Sequence, residues 1–520
     1  MNFRTYYIST SGNNNNDGSI TNPWLTLTYA CSKATTPGDI IHINKGTFIE
    51  TNQSILASGV SIKGEGIESI IKSNVGGTAF TILAGNSAEG GEGSQHISNI
   101  KMDGDNLTAY GAIYVYRRSN VKIYNCLFVN FNYWGVFYCG ASAEGSEPLI
   151  YAVGNEFYNN SVINCSGFFP AGDQMSGEGK GALGLSGQDG LLIYNNTLDQ
   201  TSRNGDSNGY LIKGRSYNKG IKIYDNIIVA GEFDNTTYDF AIELWDCTGG
   251  VEIYDNNITG AVDIAGTSTI KGDYPYAVYI HDNVIGRNVA QQYDNVHGIV
   301  LEQSFESIII KRNYIKNVPI GIFIIHMVGS GFVDDDIEIS YNIFDNLGVN
   351  DNGNILGRGS GIIFYAEDFF NHTINNLKIW NNIFIGHVGS IPTLYGIRLP
   401  AYGTSTNFSI KNNIIQGFVY SPVYSSAAIE GGVSIDHLSI ENNLFYQNGN
   451  DNDVWLLGAV PTNYVNQNNL KSNPLFISSS DFHLQNESPC INTGIDIGLT
   501  EDYEGNPIIG VPDIGAYEKQ

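Results

Sequence analysis

Along most of this chain apolar and polar residues alternate in short runs, the two-residue period of a β-strand. One such run returns in a constant frame: LLIYNNTL at 191–198, IKIYDNII at 221–228, VEIYDNNI at 251–258, VYIHDNVI at 278–285 and IIIKRNYI at 308–315. IEISYNIF follows at 337–344, LKIWNNIF at 377–384, FSIKNNII at 408–415 and LSIENNLF at 438–445. The shared asparagines are Asn196, Asn226, Asn256, Asn283, Asn313, Asn342, Asn382, Asn413 and Asn443. Most are separated by about 30 residues, the period of a repeat architecture. A second alternating run precedes the asparagine run by about 15 residues, as in AIELWD from Ala241, GIVLEQ from Gly298, GIFIIH from Gly321, GIIFYA from Gly361 and GIRLPA from Gly396. No i, i+3, i+4 pattern separates the units, which excludes leucine-rich and helical repeats. Each repeat is therefore expected to be a coil of at least two strands.

Coils stacked in parallel about 4.8 Å apart let each backbone N–H and C=O pair with the coil above and below, and place equivalent side chains in columns. Isoleucine columns then fill the interior, and a corner asparagine can hydrogen-bond to its copy in the next coil. On these motifs the chain resembles the right-handed parallel β-helix proteins of bacteria and phages, the pectate-lyase-like superfamily, over nearly its whole length. The resemblance implies an all-β fold, a single-stranded right-handed parallel β-helix solenoid with a helix-containing N-terminal cap and a C-terminal cap. The expected divisions are 1–50 for the N-terminal cap and first strands, 51–465 for the β-helix body and 466–520 for the C-terminal cap module.

An open solenoid end exposes unpaired strand edges, so covering elements are expected at both ends. Near the start, PWLTLTYACSKA puts Trp24, Leu27, Ala30, Cys31 and Ala34 on one helical face, and PGD at 37–39 ends it. This opening is similar to the N-terminus of secreted bacterial β-helix proteins. Near the other end, NPLFISSSDFHLQNESPCINTG and TEDYEGNPIIGVPDIGAYE break the period and resemble a C-terminal module of such proteins that ends in PDIGAYE. In that resemblance Asp481, Asp502 and Asp513 are structural. Insertions lengthen two repeats, at 140–181 between Asn155 and Asn196, and at NLGVNDNGNILGRGS between Asn342 and Asn382. Both are candidate groove walls.

Composition narrows the partners. Acidic residues outnumber basic ones 52 to 26, a net charge of −26, which argues against nucleic acid and anionic membrane. The same field repels a polyuronate unless a cation or a basic patch intervenes. No run of about 18 apolar residues marks a membrane span. The opening MNFRTYYIST has no cationic and then apolar leader. The protein is expected to be secreted or at a cell surface after loss of a leader, or to be carried by a phage particle that leaves on lysis. Six cysteines lack CxxC spacing and read as buried thiols, and scattered His281, His297 and His326 lack the spacing of a zinc site.

In the GIxLx strands the Ile and Leu point inward and the intervening positions outward. Down the coils these outward positions read Tyr114 and Tyr116, Phe137, Leu211 and Lys213, Glu243 and Trp245, Glu302, Phe323, Tyr365 and Arg398. Arg117, Arg215, Asp246, His326, Glu367 and Tyr402 flank them. Rings beside carboxylates and guanidinium groups suit a sugar chain, whose C–H faces pack on aromatics and whose hydroxyls take polar partners. The expected partner is a polysaccharide, with Tyr114, Tyr116, Trp245, His326, Tyr365, Glu367, Arg398 and Tyr402 as binding residues.

Two catalytic sets lie on that face. In the first, a glycoside hydrolase, Glu243, Asp246 and Glu302 supply a general acid and a base or nucleophile. Glu243 and Glu302 are about two coils apart, roughly 9–10 Å, near the separation of an inverting enzyme. Asp263 and Asp273 in the irregular coil between them are alternatives for the gap. In the second, YLIKGRSYNKGIKIYDNII looks like the base-carrying coil of the chondroitinase B and alginate lyase family. That resemblance implies Lys213 as base with Arg215 and Ca²⁺ assisting, Glu243 and Asp246 being possible oxygen ligands. Here the next coil supplies Glu243 and Trp245 where that family has its arginine. No cofactor is required by the first set, and the remaining alternative is an adhesin or phage-type spike that grips glycan without cutting it.

Overall fold

The structure, a computed structural model, describes residues 3–165, 181–201, 210–230, 240–287, 297–326, 333–348, 359–366, 373–387, 395–400, 404–419, 421–425, 434–449, 454–456 and 461–520. They form two compact units, Met1–Ile258 and Thr259–Gln520. Each is a right-handed parallel β-helix, as expected, and the described residues contain one α-helix. A coil carries three strands rather than the two most visible in the sequence, so each unit has three faces.

In the first unit one coil runs through Leu192–Tyr194, Thr197–Asp199 and Tyr210–Gly214. Each strand pairs in parallel and in register with its counterpart in the next coil: Ile193 with Ile223, Leu198 with Ile228 and Ile212 with Ile242. These isoleucines and leucines are fully buried and form the interior columns. The alternate positions make columns outside, where Tyr124, Tyr158, Tyr194, Tyr224 and Tyr254 stack with ring centroids 4.9–5.0 Å apart.

The corner motif has a backbone cause. The residue before the shared asparagine lies in the left-handed region, with φ of 54° at Asn195, 54° at Asp225 and 53° at Asp255. Asn and Asp tolerate this conformation better than most residues, which accounts for the NN and DN pairs. The asparagine that follows turns inward. Asn196 donates from Nδ2 to Phe157 O and to Asn226 Oδ1, whose oxygen also accepts the Asn196 backbone N–H. The partner on the other side of Asn196 is Asn160, 36 residues back, and not Asn155. Asn155 lies before the strand Glu156–Tyr158 and serves a different corner, bonding Val121 N, Arg118 O and Gln188.

The helix Leu27–Lys33 presents the expected apolar face: Leu27, Ala30 and Cys31 are buried, flanked by buried Trp24 and Ala34. Thr26 caps it by accepting from Tyr29 N. No acid lies in its first turn, but buried Glu50, from the strand Gly46–Glu50, accepts from Leu27 N at 2.6 Å and Thr28 N at 3.1 Å. A carboxylate there meets the positive end of the helix and satisfies two orphan donors.

The second unit repeats the design. Its asparagine ladder runs Asn283, Asn313, Asn342, Asn382, Asn413, Asn443 and Asn469. The step from Asn342 to Asn382 spans 40 residues across the second insertion without breaking the ladder. The insertion's middle, 349–358, lies outside the described residues, as does 166–180 of the earlier insertion.

The C-terminal residues lie along this unit's flank. Phe482, Leu484, Cys490, Ile514 and Ala516 pack on Ile343, Ile383, Ile414 and Leu444, one residue from each of four successive coils. Left-handed corner asparagines hold the segment: Asn381 donates to Asp513 O and Gly515 O, Asn412 to Ile495 O and Asn442 to Thr493 O. Asp502 accepts from the backbone of Glu504, Asn506 and Glu518, and Asp513 from Asn492 and Lys519. These acids tie turns, and Asp481 does so with His483 N.

Burial, with Asp513 and Asp502 close by, lifts the Glu518 carboxyl to about 7, and burial also raises Asp513. His483 is raised by its carboxylate partners Asp481 and Glu504, against the opposing effect of burial. Raised acids resist ionising in the folded state, and a raised histidine gains most when protonated, so all three favour the folded segment at low pH. The segment is expected to loosen as pH rises from about 5 to about 8, Glu518 contributing between its unfolded and folded values and His483 above its unfolded one. Faster hydrogen exchange in 475–518 at the higher pH, after correction for intrinsic rates, checks this; a slower rate contradicts it.

All six cysteines are free and buried. Burial pushes the thiols of Cys126, Cys247 and Cys490 up to about 12. A thiol reagent at pH 8 is expected to label none of the six in the folded protein and all six after unfolding.

Candidate functional site

The site builds up on the outer face of one sheet of the first unit, formed by Phe80–Gly85, Gly111–Tyr116, Trp134–Cys139, Gly181–Ser186, Tyr210–Gly214 and Phe240–Trp245. Register places Leu83, Tyr114, Phe137, Gly184, Lys213 and Glu243 in one outward column. Tyr116 stands one alternation further along, beside Cys139 and Ser186. Leu211, expected outside, is fully buried.

A further outward column escaped the sequence reading: Phe80, Gly111, Trp134, Gly181 and Tyr210. Its signal is an aromatic residue directly before the small residue of the strand, as in WGVFYC and FAIELW. Trp134 and Phe137 stack at 4.7 Å, Tyr114 stacks on Phe137 at 5.4 Å and on Phe80 at 4.9 Å, and Tyr110 stacks on Tyr133 at 4.6 Å. Glycine makes this possible, since a Cβ on Gly184 would come within 2.5 Å of the Trp134 ring and 2.7 Å of Phe137. Phe80, Trp134 and Phe137 are buried in the cluster, whereas Tyr110, Tyr114, Tyr116 and Tyr133 are half-buried.

These rings wall a cleft of about 510 Å³, with Tyr114, Tyr116, Phe137, Gln53 and Glu144 among its lining residues. Burial holds the Tyr114 phenol well above its usual range. The loop at 140–150, within the first insertion, contributes Glu144 to the lining. Glu89 pins it by accepting from Ser142 Oγ and from Leu149 N, and Gly145 N donates to Ser186 Oγ. Glu144 is reached from the strand side by Arg215, whose Nε lies 2.7 Å from Oε1. Arg117 lies over the Tyr116 ring and donates to Ser87 O and Ser142 O.

Beside the cleft stand Lys213 and Glu243, in register on adjacent coils. Their side chains form an ion pair, 4% and 5% exposed, so each charge has its counter-charge almost out of water. Trp245 Nε1 donates to Glu243 Oε1 at 2.6 Å, and the Lys213 ammonium sits 4.3 Å from the Tyr210 ring centroid and 5.4 Å from that of Trp245. A Cβ on Gly181 would lie 2.7 Å from the Trp134 ring and 2.9 Å from Lys213 Cβ, which places the ion pair next to the aromatic cluster. Asp246 follows at the strand exit with φ of 44° and accepts from Ser216 Oγ.

This donor set does not suit Ca²⁺. One Glu243 oxygen holds an ammonium and the other an indole N–H, and among the described residues no three His, Cys, Asp or Glu side chains converge as cation ligands.

In the second unit the outward positions fall into two columns. Asp263, Val300, Phe323, Ile363 and Arg398 share one register position, and Glu302, Ile325 and Tyr365 the next. Asp263 is fully buried, Glu302 nearly so, and Asp273 is exposed in a turn. His297 stacks on Phe323 at 4.9 Å. His326 is not on the outer face: alternation from Ile322 turns it inward, where its Nε2 lies 2.6 Å from Asp334 Oδ2, both side chains being buried. Burial raises the Asp334 carboxyl, partly offset by His326. Glu367 and Tyr402 lie outside the described residues.

No helix among the described residues is long and apolar enough to cross a membrane. No protein-family model matches the chain, and no curated protein matches it in sequence. Solved structures share the fold. The tailspike protein of E. coli bacteriophage HK620, solved in complex with a pentasaccharide, matches with a TM-score of 0.54 at 10% identity, over 86% of this chain and 78% of that one. A mutant of the same tailspike matches at 0.52 and 10% identity, over 81% and 74%. The Agl-KA catalytic domain matches at 0.46 and 16% identity, over 71% of this chain and 63% of its own length. At these identities the likeness establishes the right-handed parallel β-helix and nothing finer.

Proposed function

We propose that this protein acts on a polysaccharide that lies along the outer face of the first unit, with one sugar ring seated in the aromatic cleft. The observation that carries this reading is the cleft itself, in which half-buried tyrosines over a buried Trp134–Phe137 stack adjoin a polar, paired-charge patch. Rings offer flat apolar surface to sugar C–H faces, and phenols, Gln53 and Glu144 take hydroxyls. A tailspike that shares the fold was solved with a pentasaccharide bound.

For chemistry on that face, the reading is a glycoside hydrolase in which Glu243 is the carboxylate. Lys213 and the Trp245 N–H favour its ionised form, so it suits a base or nucleophile, and Asp246 is the nearest candidate acid in the chain. The same ion pair disfavours Lys213 as a lyase base, since that role needs a neutral amine and the adjacent carboxylate favours the ammonium. It also supports a second reading, a glycan-binding adhesin, because a charge held by a protein partner is satisfied without substrate.

A panel of polysaccharides assayed for new reducing ends and for the absorbance of unsaturated uronates separates these. Reducing ends without absorbance, lost by roughly 10²–10⁴-fold in Glu243→Gln, are the expected result. Absorbance together with reducing ends overturns hydrolysis in favour of elimination, and binding without either product leaves the adhesin.

A further inference from the structure

We propose that Arg117 is a specificity residue at the edge of the cleft, where it takes a negatively charged substituent, a carboxylate or a sulfate, of the sugar chain seated there. This deepens the reading of the cleft as a sugar seat and rests on it. Arg117 follows Tyr116, a lining residue, and its Cζ lies 4.6 Å from the centroid of that ring. Tyr116 Oη and Arg117 Nη2 both donate to Ser142 O, at 2.8 and 3.4 Å. The guanidinium is thereby held where the strand Gly111–Tyr116 meets the loop that supplies Glu144.

The charges around the cleft leave this cation uncompensated. Glu144 is paired with Arg215, Nε to Oε1 at 2.7 Å, and Glu243 with Lys213. Arg117 donates only to the backbone carbonyls of Ser87 and Ser142, and among the described residues no carboxylate pairs with it. Its buried Nε has no hydrogen-bond partner. The next residue is a second such cation: buried Arg118 donates to Leu56 O, Gly85 O, Gln95 Oε1 and Asn86 Oδ1, none of them a carboxylate. Burial lowers the Arg118 guanidinium to about 10, which leaves it charged at neutral pH. Two adjoining guanidinium groups give this end of the cleft a local positive potential in a protein whose net charge is −26. Arg117 also holds φ of 55°, a region that suits Gly, Asn and Asp, so an arginine stands there at a conformational cost. A planar guanidinium fixed on an aromatic ring is suited to an oxyanion, and a charge-assisted bond to one is stronger than the bonds it makes to carbonyls.

The test is isothermal titration of the full chain, at about 150 mM salt, with hexasaccharides of cellulose and chitin (neutral), hyaluronan and polygalacturonate (carboxylates) and κ-carrageenan (sulfates). At least one charged probe is expected to bind at least about tenfold more tightly than both neutral ones, and its kind assigns the substituent. Arg117→Gln is expected to weaken that probe by about tenfold, and Arg117→Lys, which keeps the charge without the planar fork, to fall between. Lys222→Gln removes the same charge from another sheet and should change the affinity less than about twofold. Equal losses in Arg117→Gln and Lys222→Gln, no loss in Arg117→Gln, or a neutral probe that binds as tightly as every charged one and depends on Tyr114, overturns the inference while leaving the sugar seat intact. Binding by no probe, or binding that Tyr114→Ala leaves untouched, overturns the sugar seat and the inference together.

Discussion

Replacing Asn313 by alanine is expected to cost about 3–5 kcal/mol, among the largest single-residue losses in the protein, although the change removes only a small polar group. Asn313 is fully buried, and its Nδ2 donates to Ile280 O, Lys311 O and Asn342 Oδ1 while its Oδ1 accepts from the backbone and side chain of Asn283. Alanine leaves the Asn283 N–H and the Ile280 carbonyl buried without these partners, and each orphaned group costs about 1–3 kcal/mol. Coils contact chiefly their neighbours, so the damage should be local: amides at 280–285 and 308–315 should exchange faster and those of the first unit should not. Asn257→Ala, at an exposed strand asparagine, is the control and should change stability by less than about 0.5 kcal/mol. A loss below about 1 kcal/mol for Asn313→Ala would sink the ladder as a stabilising device.

The second large effect is expected at the buried ion pair. Lys213→Met leaves the Glu243 carboxylate nearly out of water without its counter-charge, a change that typically costs about 3–5 kcal/mol. Adding Glu243→Gln removes the stranded charge and keeps an acceptor for Trp245 Nε1, so the double variant should regain most of the loss. Urea or thermal unfolding of the four proteins of the cycle gives the coupling directly. Additive losses would mean that the two side chains do not depend on each other. The cycle also bears on function, since in the hydrolase reading the double variant is as stable as this ledger implies and yet inactive.

The architecture was legible because a β-helix writes its period into the chain. An inward isoleucine every second residue and a corner asparagine about every 30 residues are both consequences of stacking identical coils, so the repeat spacing alone implied the ladder. Side chains within one strand were legible too: Tyr114 and Tyr116, and Lys213 with Glu243 one coil on, follow from alternation and repeat length. Alternation failed at the ends of strands, where one extra residue flips the face. Leu211 went inside beside buried Ile212, whereas His326 follows the alternation from Ile322 and turns in to meet Asp334, a partner that a one-dimensional reading does not see.

What the sequence determined by itself was therefore the solenoid, its rungs, its helix-bearing start and the side of the strands on which chemistry could lie, since these depend on interactions between equivalent positions at a known spacing. Only the tertiary structure decided which of those positions gather around the cleft. The cleft needs Phe80, Tyr110, Trp134 and Glu144, brought onto one face by coils of unequal length, and the Lys213–Glu243 pair becomes consequential only through its burial. The C-terminal segment finds its place because Asn381, Asn412 and Asn442 point their amides out of three successive corners. Such contacts join residues at no fixed separation, so periodicity carries no record of them.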